Sequence, residues 1–247
     1  MSKRVAVVTG ASGGLGEPIC KAMYEQGHTV VGSYLPGTDK EALEWQEQMR
    51  SEGYELFLYP LDVSDFDSCG SFVAVVEKEV GPIDILINNA GITRDAPLKR
   101  LQHQQWREVI STNLDSMYNM CQPVFDNMCS RGWGRIVNIS SLNGEKGQFG
   151  QANYSAAKAG IYGFTKAIAQ EGARKGVTVN ALSPGYIDSP MVRQVPEKVL
   201  ESIIGQIPVG RLGTPREIGK AVAFLTSEDS GFVTGTNLSV NGGQYMS

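Results

Sequence analysis

Short apolar runs alternate along the chain with longer stretches in which apolar residues recur every three or four positions. The runs are RVAVVT from Arg4, TVVGSY from Thr29, YELFLYPLDV from Tyr54, IDILINNAG from Ile83, GRIVNISS from Gly134, GVTVNALSPG from Gly176 and NLSVNGG from Asn237. Their near-continuous apolar residues, Val and Ile above all, predict strands buried on both faces. LGEPICKAMYEQG, after the first run, sets Ile19 and Met23 at helical spacing, with Gly27 as the C-terminal stop. TDKEALEWQEQMRSEG reads as a helix with a polar face. A third helix is predicted to start at a Ser64 cap, with Asp67 three residues on, and to end at Gly81-Pro82. Repeated strand–helix–strand units imply an α/β fold with a mostly parallel sheet and helices on both faces. Without a linker or an internal repeat, residues 1–247 read as a single domain. The irregular segment 186–214, with its prolines and scattered charges, predicts short helices covering a site.

Composition narrows the classes. At 41% hydrophobic and 19% charged, the 247 residues can bury a full core. The formal charge of −4, with no basic run, argues against a nucleic-acid or anionic-membrane partner. The N-terminal run is too short for a signal peptide, and no apolar stretch nears the roughly 18 residues of a membrane span. Cys20, Cys69, Cys121 and Cys129 lack CxxC spacing, and His28 and His103 are the only histidines. A structural zinc site is not expected. The expectation is a reduced, cytoplasmic protein without a metal.

TGASGGLG, Thr9 to Gly16, stands where the first strand turns into the first helix. Gly10, Gly14 and Gly16 allow a tight turn and close approach of backbone to a diphosphate, and the helix N-terminus offers N–H groups to it. A glycine-rich turn without a ligand is the plainer alternative. The spacing TGxxxGxG resembles the short-chain dehydrogenase/reductase family. So do NNAG (Asn88 to Gly91), Asn113 in STNLDS, Ser141 followed by Tyr154 and Lys158, SPGYI, and GTNLSVNGG, where Asn241 stands in place of a usual aspartate. The resemblance covers nearly the whole chain. It implies a Rossmann-like doubly wound sheet, a nicotinamide cofactor, a homotetramer, and Asn113, Ser141, Tyr154 and Lys158 as catalytic residues. The cofactor contacts it implies are Gly10, Ser12, Gly13, Gly14, Leu15, Gly16, Asp62, Val63, Asn89, Ala90, Gly91, Tyr154, Lys158, Pro184, Gly185 and Ile187.

The chemistry suits those residue types. Ketone reduction needs a hydride on carbon and a proton on oxygen. A phenol, with a reference pKa of about 10, is a poor acid–base group near neutrality unless shifted. Lys158 lies one helical turn from Tyr154, so its charge is expected to favour the phenolate. Under the resemblance, the same ammonium bonds the nicotinamide ribose and Asn113 holds a water leading from Lys158 to solvent. Ser141 can donate to the carbonyl oxygen. Its neighbour Ser140 suits the plain role of a strand-end hydroxyl.

The fold does not choose a substrate. The stretch Arg131 to Gly160, NNAGITRD and SGFVTGTNLSVNGG are very similar to the acetoacetyl-CoA reductases of polyhydroxybutyrate synthesis. That implies an acyl-CoA substrate, held at its acetoacetyl part by Gln148, Gln151 and Tyr186 with Phe149 packed on the short chain. These residues could instead only order their loops. A 3-oxoacyl-(acyl-carrier-protein) reductase shares the Ser-Tyr-Lys set, and Arg94, Arg131 and Arg135 could meet an acidic carrier. A non-catalytic dinucleotide-binding protein would be expected to lose Tyr154 or Lys158. The second strand ends at Ser33, Tyr34 and Leu35 without the acid that selects NAD. Lys40 follows between Asp39 and Glu41, and can meet a phosphate as a point charge. Use of both NADPH and NADH is expected, leaning to NADPH, with Ser33, Tyr34 and Lys40 around the adenosine ribose.

Overall fold

The computed structural model describes residues 3–189, 192 and 196–246. Seven strands form one sheet in the order β3-β2-β1-β4-β5-β6-β7. They are β1 (Val5–Val8), β2 (Thr29–Tyr34), β3 (Phe57–Pro60), β4 (Ile83–Asn88), β5 (Gly134–Ile139), β6 (Val177–Pro184) and β7 (Asn237–Val240). Every pairing is parallel, and Val8 of β1 faces Gly32 of β2 on one side and Ile87 of β4 on the other. The chain reverses its direction of strand addition at β1, and that reversal opens a crevice at the carboxyl ends of β1 and β4.

The alternation of side chains along β1 divides the core in two. Ala6 and Val8 pack with Ile19 and Met23 of α1 (Gly16–Glu25), Trp45 and Met49 of α2 (Asp39–Ser51), and Ile218 and Val222 of the last helix, Pro215–Thr226. Val5 and Val7 pack with Phe72 and Val76 of α3 (Phe66–Glu79) and with Met120, Val124 and Met128 of α5 (Ser116–Arg131). β4, β5 and β6 are buried along their whole lengths, as continuous apolar runs in a two-sided parallel sheet require. Gly27, at φ +84°, ends the first helical stretch as expected.

The cap of α3 is a correction. Asp65, not Ser64, is the N-cap, and its carboxylate accepts the Ser68 N–H. Ser64 donates its hydroxyl to Asp62 instead. A carboxylate also complements the helix dipole at that end. Further helices follow: α4 (His103–Ile110) leads through a π turn, Ser111–Asp115, into α5, and α6 (Leu142–Lys146) and α7 (Ala152–Gly172) follow β5. In the segment 186–214, α8 (Glu197–Gly205) forms and Ile187 bridges to Gly213, before α9 (Pro215–Thr226). The cover expected there includes Pro190, Met191, Arg193, Gln194 and Val195, which lie outside the described residues. Among the described residues, no helix is long and apolar enough to cross a membrane, and no group of three His, Cys, Asp or Glu could hold a metal.

Candidate active site

Two loops meet above β1 and β4. Thr9 Oγ1 accepts the N–H groups of Asn89 at 2.9 Å and Ala90 at 3.0 Å. Asn89 Nδ2 returns bonds to the carbonyls of Thr9 at 2.9 Å and Gly10 at 3.1 Å. Gly10 sits at φ +63°, and a Cβ there would lie 3.1 Å from Ala90 Cα. At Gly16 a Cβ would come within 2.3 Å of the Gly10 carbonyl oxygen. A larger residue at Gly10 would pry the two loops apart, and one at Gly16 would strike the glycine loop's own backbone.

The loop is a cradle. A Cβ on Gly14 would meet nothing within 4 Å, and no side chain caps the start of α1 at Leu15. Ser12, Gly13 and Gly14 are exposed along its rim. Exposed glycine backbone at an uncapped helix N-terminus fits the diphosphate of a dinucleotide. Pro184, Gly185 and Ile187 form the wall beyond β6, where Gly185 donates to the Val240 carbonyl at 2.9 Å. Asp62 and Val63 follow β3. The Asp62 carboxylate accepts the Ser64 N–H at 2.9 Å, and the Val63 carbonyl accepts Asn119 Nδ2 at 3.0 Å.

Three residues expected at the ribose divide. Ser33 is buried, and its hydroxyl accepts the Gly10 N–H at 3.2 Å. It braces the glycine loop from beneath. The Tyr34 hydroxyl donates to Asp39 at 3.0 Å, and Asp39 also accepts the Gly37 N–H at 3.2 Å. The Lys40 side chain is 84% exposed, 3.9 Å from Glu44.

The catalytic candidates converge at the end of β5. Ser140 donates its hydroxyl to the Lys158 carbonyl at 2.8 Å, the plain structural role expected of it. Ser141 caps α6, its Oγ accepting the Asn143 N–H at 3.1 Å. It stands close enough to Tyr154 of α7 to favour that phenol's ionised form. Lys158, one turn along, is 3% exposed and donates from Nζ to the Ile139 carbonyl at 2.8 Å. Its ammonium stands 5.6 Å from the Tyr154 ring centre. Asn113 is buried in the π turn, a bulge of the kind often found at functional sites. Its Oδ1 accepts the Ile92 N–H and its Nδ2 donates to the Ile92 carbonyl, both at 2.8 Å. The side chain thus clamps the Ile92 peptide. Gly91 packs between these parts: a Cβ there would lie 3.2 Å from Asn113 Oδ1 and 3.6 Å from Lys158 Nζ.

Burial dominates the electrostatics. It carries the Tyr154 phenol above its usual pKa; the nearby Ser141 hydroxyl opposes the rise, and Asp95 and Tyr162 add to it. The expected lowering by Lys158 is not realised in this structure. Burial also draws the Lys158 ammonium down from 10.5 to about 8. Both groups are held toward their neutral forms.

The substrate candidates are tied into the mouth. Gln148 accepts a bond from Lys146 at 2.9 Å. Gln151 donates to Asp95 and accepts from Asn143, both at 2.8 Å. Phe149 is 86% exposed. Tyr186 is half-buried, with its carbonyl accepting the Gly213 N–H at 3.0 Å.

Comparison with known proteins agrees with this geometry. The sequence pattern described as short chain dehydrogenase matches residues 4–200. The chain belongs to the short chain dehydrogenase family. It is accordingly an oxidoreductase that works with NAD(H) or NADP(H). It is 54% identical over 244 residues to the acetoacetyl-CoA reductase of Rhizobium meliloti (strain 1021), covering 98% of this chain and 99% of that one. Identity to the acetoacetyl-CoA reductase of Cupriavidus necator is 50% over 246 residues, covering 100% of each. A 3-oxoacyl-(acyl-carrier-protein) reductase, FabG of Pseudomonas aeruginosa, is 43% identical over 244 residues, with 99% and 98% covered.

Within this dehydrogenase, the arginines considered for an acidic carrier are dispersed. Arg131 bonds the Ile83 carbonyl and lies 3.6 Å from Asp84. Arg135 is buried, bonded to the carbonyls of Ser227 and Gly176. Both serve the amino ends of the strands, opposite the crevice. Arg94 alone of the three lies beside the site, and it pairs with Glu108 at 2.9 Å. Sequence reasoning missed Asp95, Asn143 and Tyr162. For Tyr162 a signal existed, since Tyr154, Lys158 and Tyr162 recur at intervals of four along one helix.

The buried lysine makes a testable contribution to stability. Its folded pKa, about 8, lies below the unfolded 10.5, so the unfolded chain binds more protons between those values. Stability from this group therefore rises as pH climbs through about 8. Between pH 7 and pH 9, urea denaturation should show the wild type gaining about 1 kcal/mol relative to Lys158→Met. Parallel stability curves for the two proteins would mean that Lys158 titrates as an ordinary lysine.

Proposed function

We propose that this protein reduces acetoacetyl-CoA to 3-hydroxybutyryl-CoA, the reductive step toward polyhydroxybutyrate. The observation that carries the reading is the gathering of Ser141 and Tyr154 beside the buried Lys158, in a chain alignable end to end with acetoacetyl-CoA reductases. When bound, the nicotinamide cofactor supplies the hydride to the keto carbon. Tyr154, which holds its proton near neutrality, gives it to the keto oxygen. Ser141 already accepts from Asn143, which leaves its own proton for the developing alkoxide. Lys158, with a pKa drawn to about 8, can return a proton toward Tyr154 near working pH. Gln148, Phe149, Gln151 and Tyr186 are placed against the acetoacetyl group. Gln151 reaches it by releasing Asp95 or Asn143.

We assign use of both NADPH and NADH, with a modest preference for NADPH. Asp39 is turned onto Tyr34 and Gly37, while Lys40 stands exposed and loosely paired. The assembly is placed as a cytoplasmic homotetramer. The exposed Phe66–Tyr118 stack and Phe232 offer apolar surface for subunit contacts. Sedimentation velocity should give a tetramer mass, and a single-chain mass would remove that assignment.

Tyr154→Phe should lower reduction to under about a tenth of wild type, the weak end of general-acid catalysis, while cofactor binding persists. A faster variant would remove Tyr154 as the proton donor. Side by side, acetoacetyl-CoA should turn over faster than an acetoacetyl carrier-protein thioester. A tenfold preference for the carrier, about 1.4 kcal/mol, would replace this reading with the carrier-protein one.

Lys40→Ala should lower kcat/KM for NADPH several-fold relative to NADH, in line with about 1 kcal/mol for one exposed charge contact. An unchanged ratio would take Lys40 out of the site.

A further inference from the structure

We infer that Tyr162 positions Ser141 for the reaction, holding the serine's peptide in place as the near end of a polar chain that runs to β7. The inference rests on the reading of Ser141 as catalytic.

Ser141 stands at a corner where β5 gives way to α6, with extended backbone at φ −166° and ψ 150°. Its side chain is held by the Asn143 N–H. Its carbonyl accepts the Tyr162 hydroxyl at 3.0 Å. Tyr162 is two turns beyond Tyr154 and one beyond Lys158 on α7, so it reaches the same side of the helix. Room for it beneath α6 comes from Gly144: a Cβ there would lie 2.9 Å from the Tyr162 hydroxyl and 2.9 Å from Lys158 Cβ.

The hydroxyl is also 3.0 Å from Ser183 Oγ, which donates to Asn237 Oδ1 at 2.8 Å. Asn237 Nδ2 donates to Glu145 Oε1 at 2.8 Å, and Ser239 Oγ donates to the same oxygen at 2.6 Å. Glu145 is four residues after Ser141, on the helix that Ser141 caps. The chain thus pins α6 at both ends, to α7 through Tyr162 and to β7 through Glu145. Burial first, and Glu145 further, push the Tyr162 phenol up against the opposing pull of its Ser183 contact, so it stays protonated and able to donate.

The network is not built for stability alone. The protons of Tyr162 and Ser183 serve three contacts, so one is shared, and Glu145 Oε2 is buried without a partner. A partly satisfied buried network is costly, and such costs gather where placement of a reacting group matters.

The test is a double-mutant cycle. Tyr162→Phe should lower kcat for acetoacetyl-CoA by about threefold to tenfold, the loss of one ordinary hydrogen bond. Its dissociation constant for NADPH should stay at the wild-type value. In a Ser141→Ala background, the same substitution should add no further loss, because Tyr162 acts through Ser141. Single-turnover oxidation of enzyme-bound NADPH makes the slow rates readable. An unchanged kcat in Tyr162→Phe, or equal losses in both backgrounds, overturns the inference. Ser141→Ala at the wild-type rate would instead remove the catalytic reading of Ser141, and the inference with it. If Tyr162→Phe is insoluble, Ser183→Ala breaks the chain one link further on, and is read in the same two backgrounds against the same outcomes.

Discussion

One buried ammonium sets the terms for the crevice. Lys158 has lost nearly all contact with water, and an ammonium in that state is costly unless it is hydrogen-bonded or neutral. The Ile139 carbonyl meets one of its protons, and the Ser140 hydroxyl holds its peptide to the end of β5. Gly91 leaves a gap that any side chain would close against Nζ and Asn113. The fold accepts this penalty beside Tyr154 and Ser141, and strongly shifted groups gather at functional sites. The same loss of water that lowers Lys158 raises Tyr154 beside it.

That site joins two otherwise separate constructions. The cofactor side is backbone held by small polar clamps, with Thr9 and Asn89 locking the loops after β1 and β4. The catalytic side is side chains carried on α7 and on the corner between β5 and α6. Gly91, Asn113 and Lys158 are where the two meet. Asn113 ties the segment after NNAG to the π turn, so a shift of one side would be felt by the other. β7, at the far edge of the sheet, reaches the same corner through Asn237 and Glu145.

Several polar residues are read differently once their partners are known. Ser33 and Asn113 each face inward and brace backbone. Gln151 is satisfied at both ends of its amide by Asp95 and Asn143. Arg131 and Arg135 serve the amino ends of strands, away from any crevice. Each is a residue type that binds ligands well and braces backbone equally well. The nearest unsatisfied peptide group decides between those uses.

What the sequence by itself determined is the layered fold, the glycine-rich turn and the candidate catalytic set. Strand runs buried on both faces are legible because a parallel sheet leaves them no polar side. The glycines are legible because Gly10 and Gly16 sit where a Cβ would strike neighbouring backbone. Helical spacing puts Tyr154 and Lys158 on one side, and it is the order of Asn113, Ser141 and the glycine-rich turn around them that makes the pair legible. Only the tertiary structure decided the direction of the Tyr154 shift, the duty of Ser33 and the reach of Tyr162 to Ser141. Each depends on what is packed around a group from elsewhere in the chain. The Tyr162 chain brings together residues from α6, α7, β6 and β7, and the loss of water around Lys158 and Tyr154 is a property of the assembled core. Desolvation and long-range partners appear when the chain closes on itself, and no local spacing encodes them.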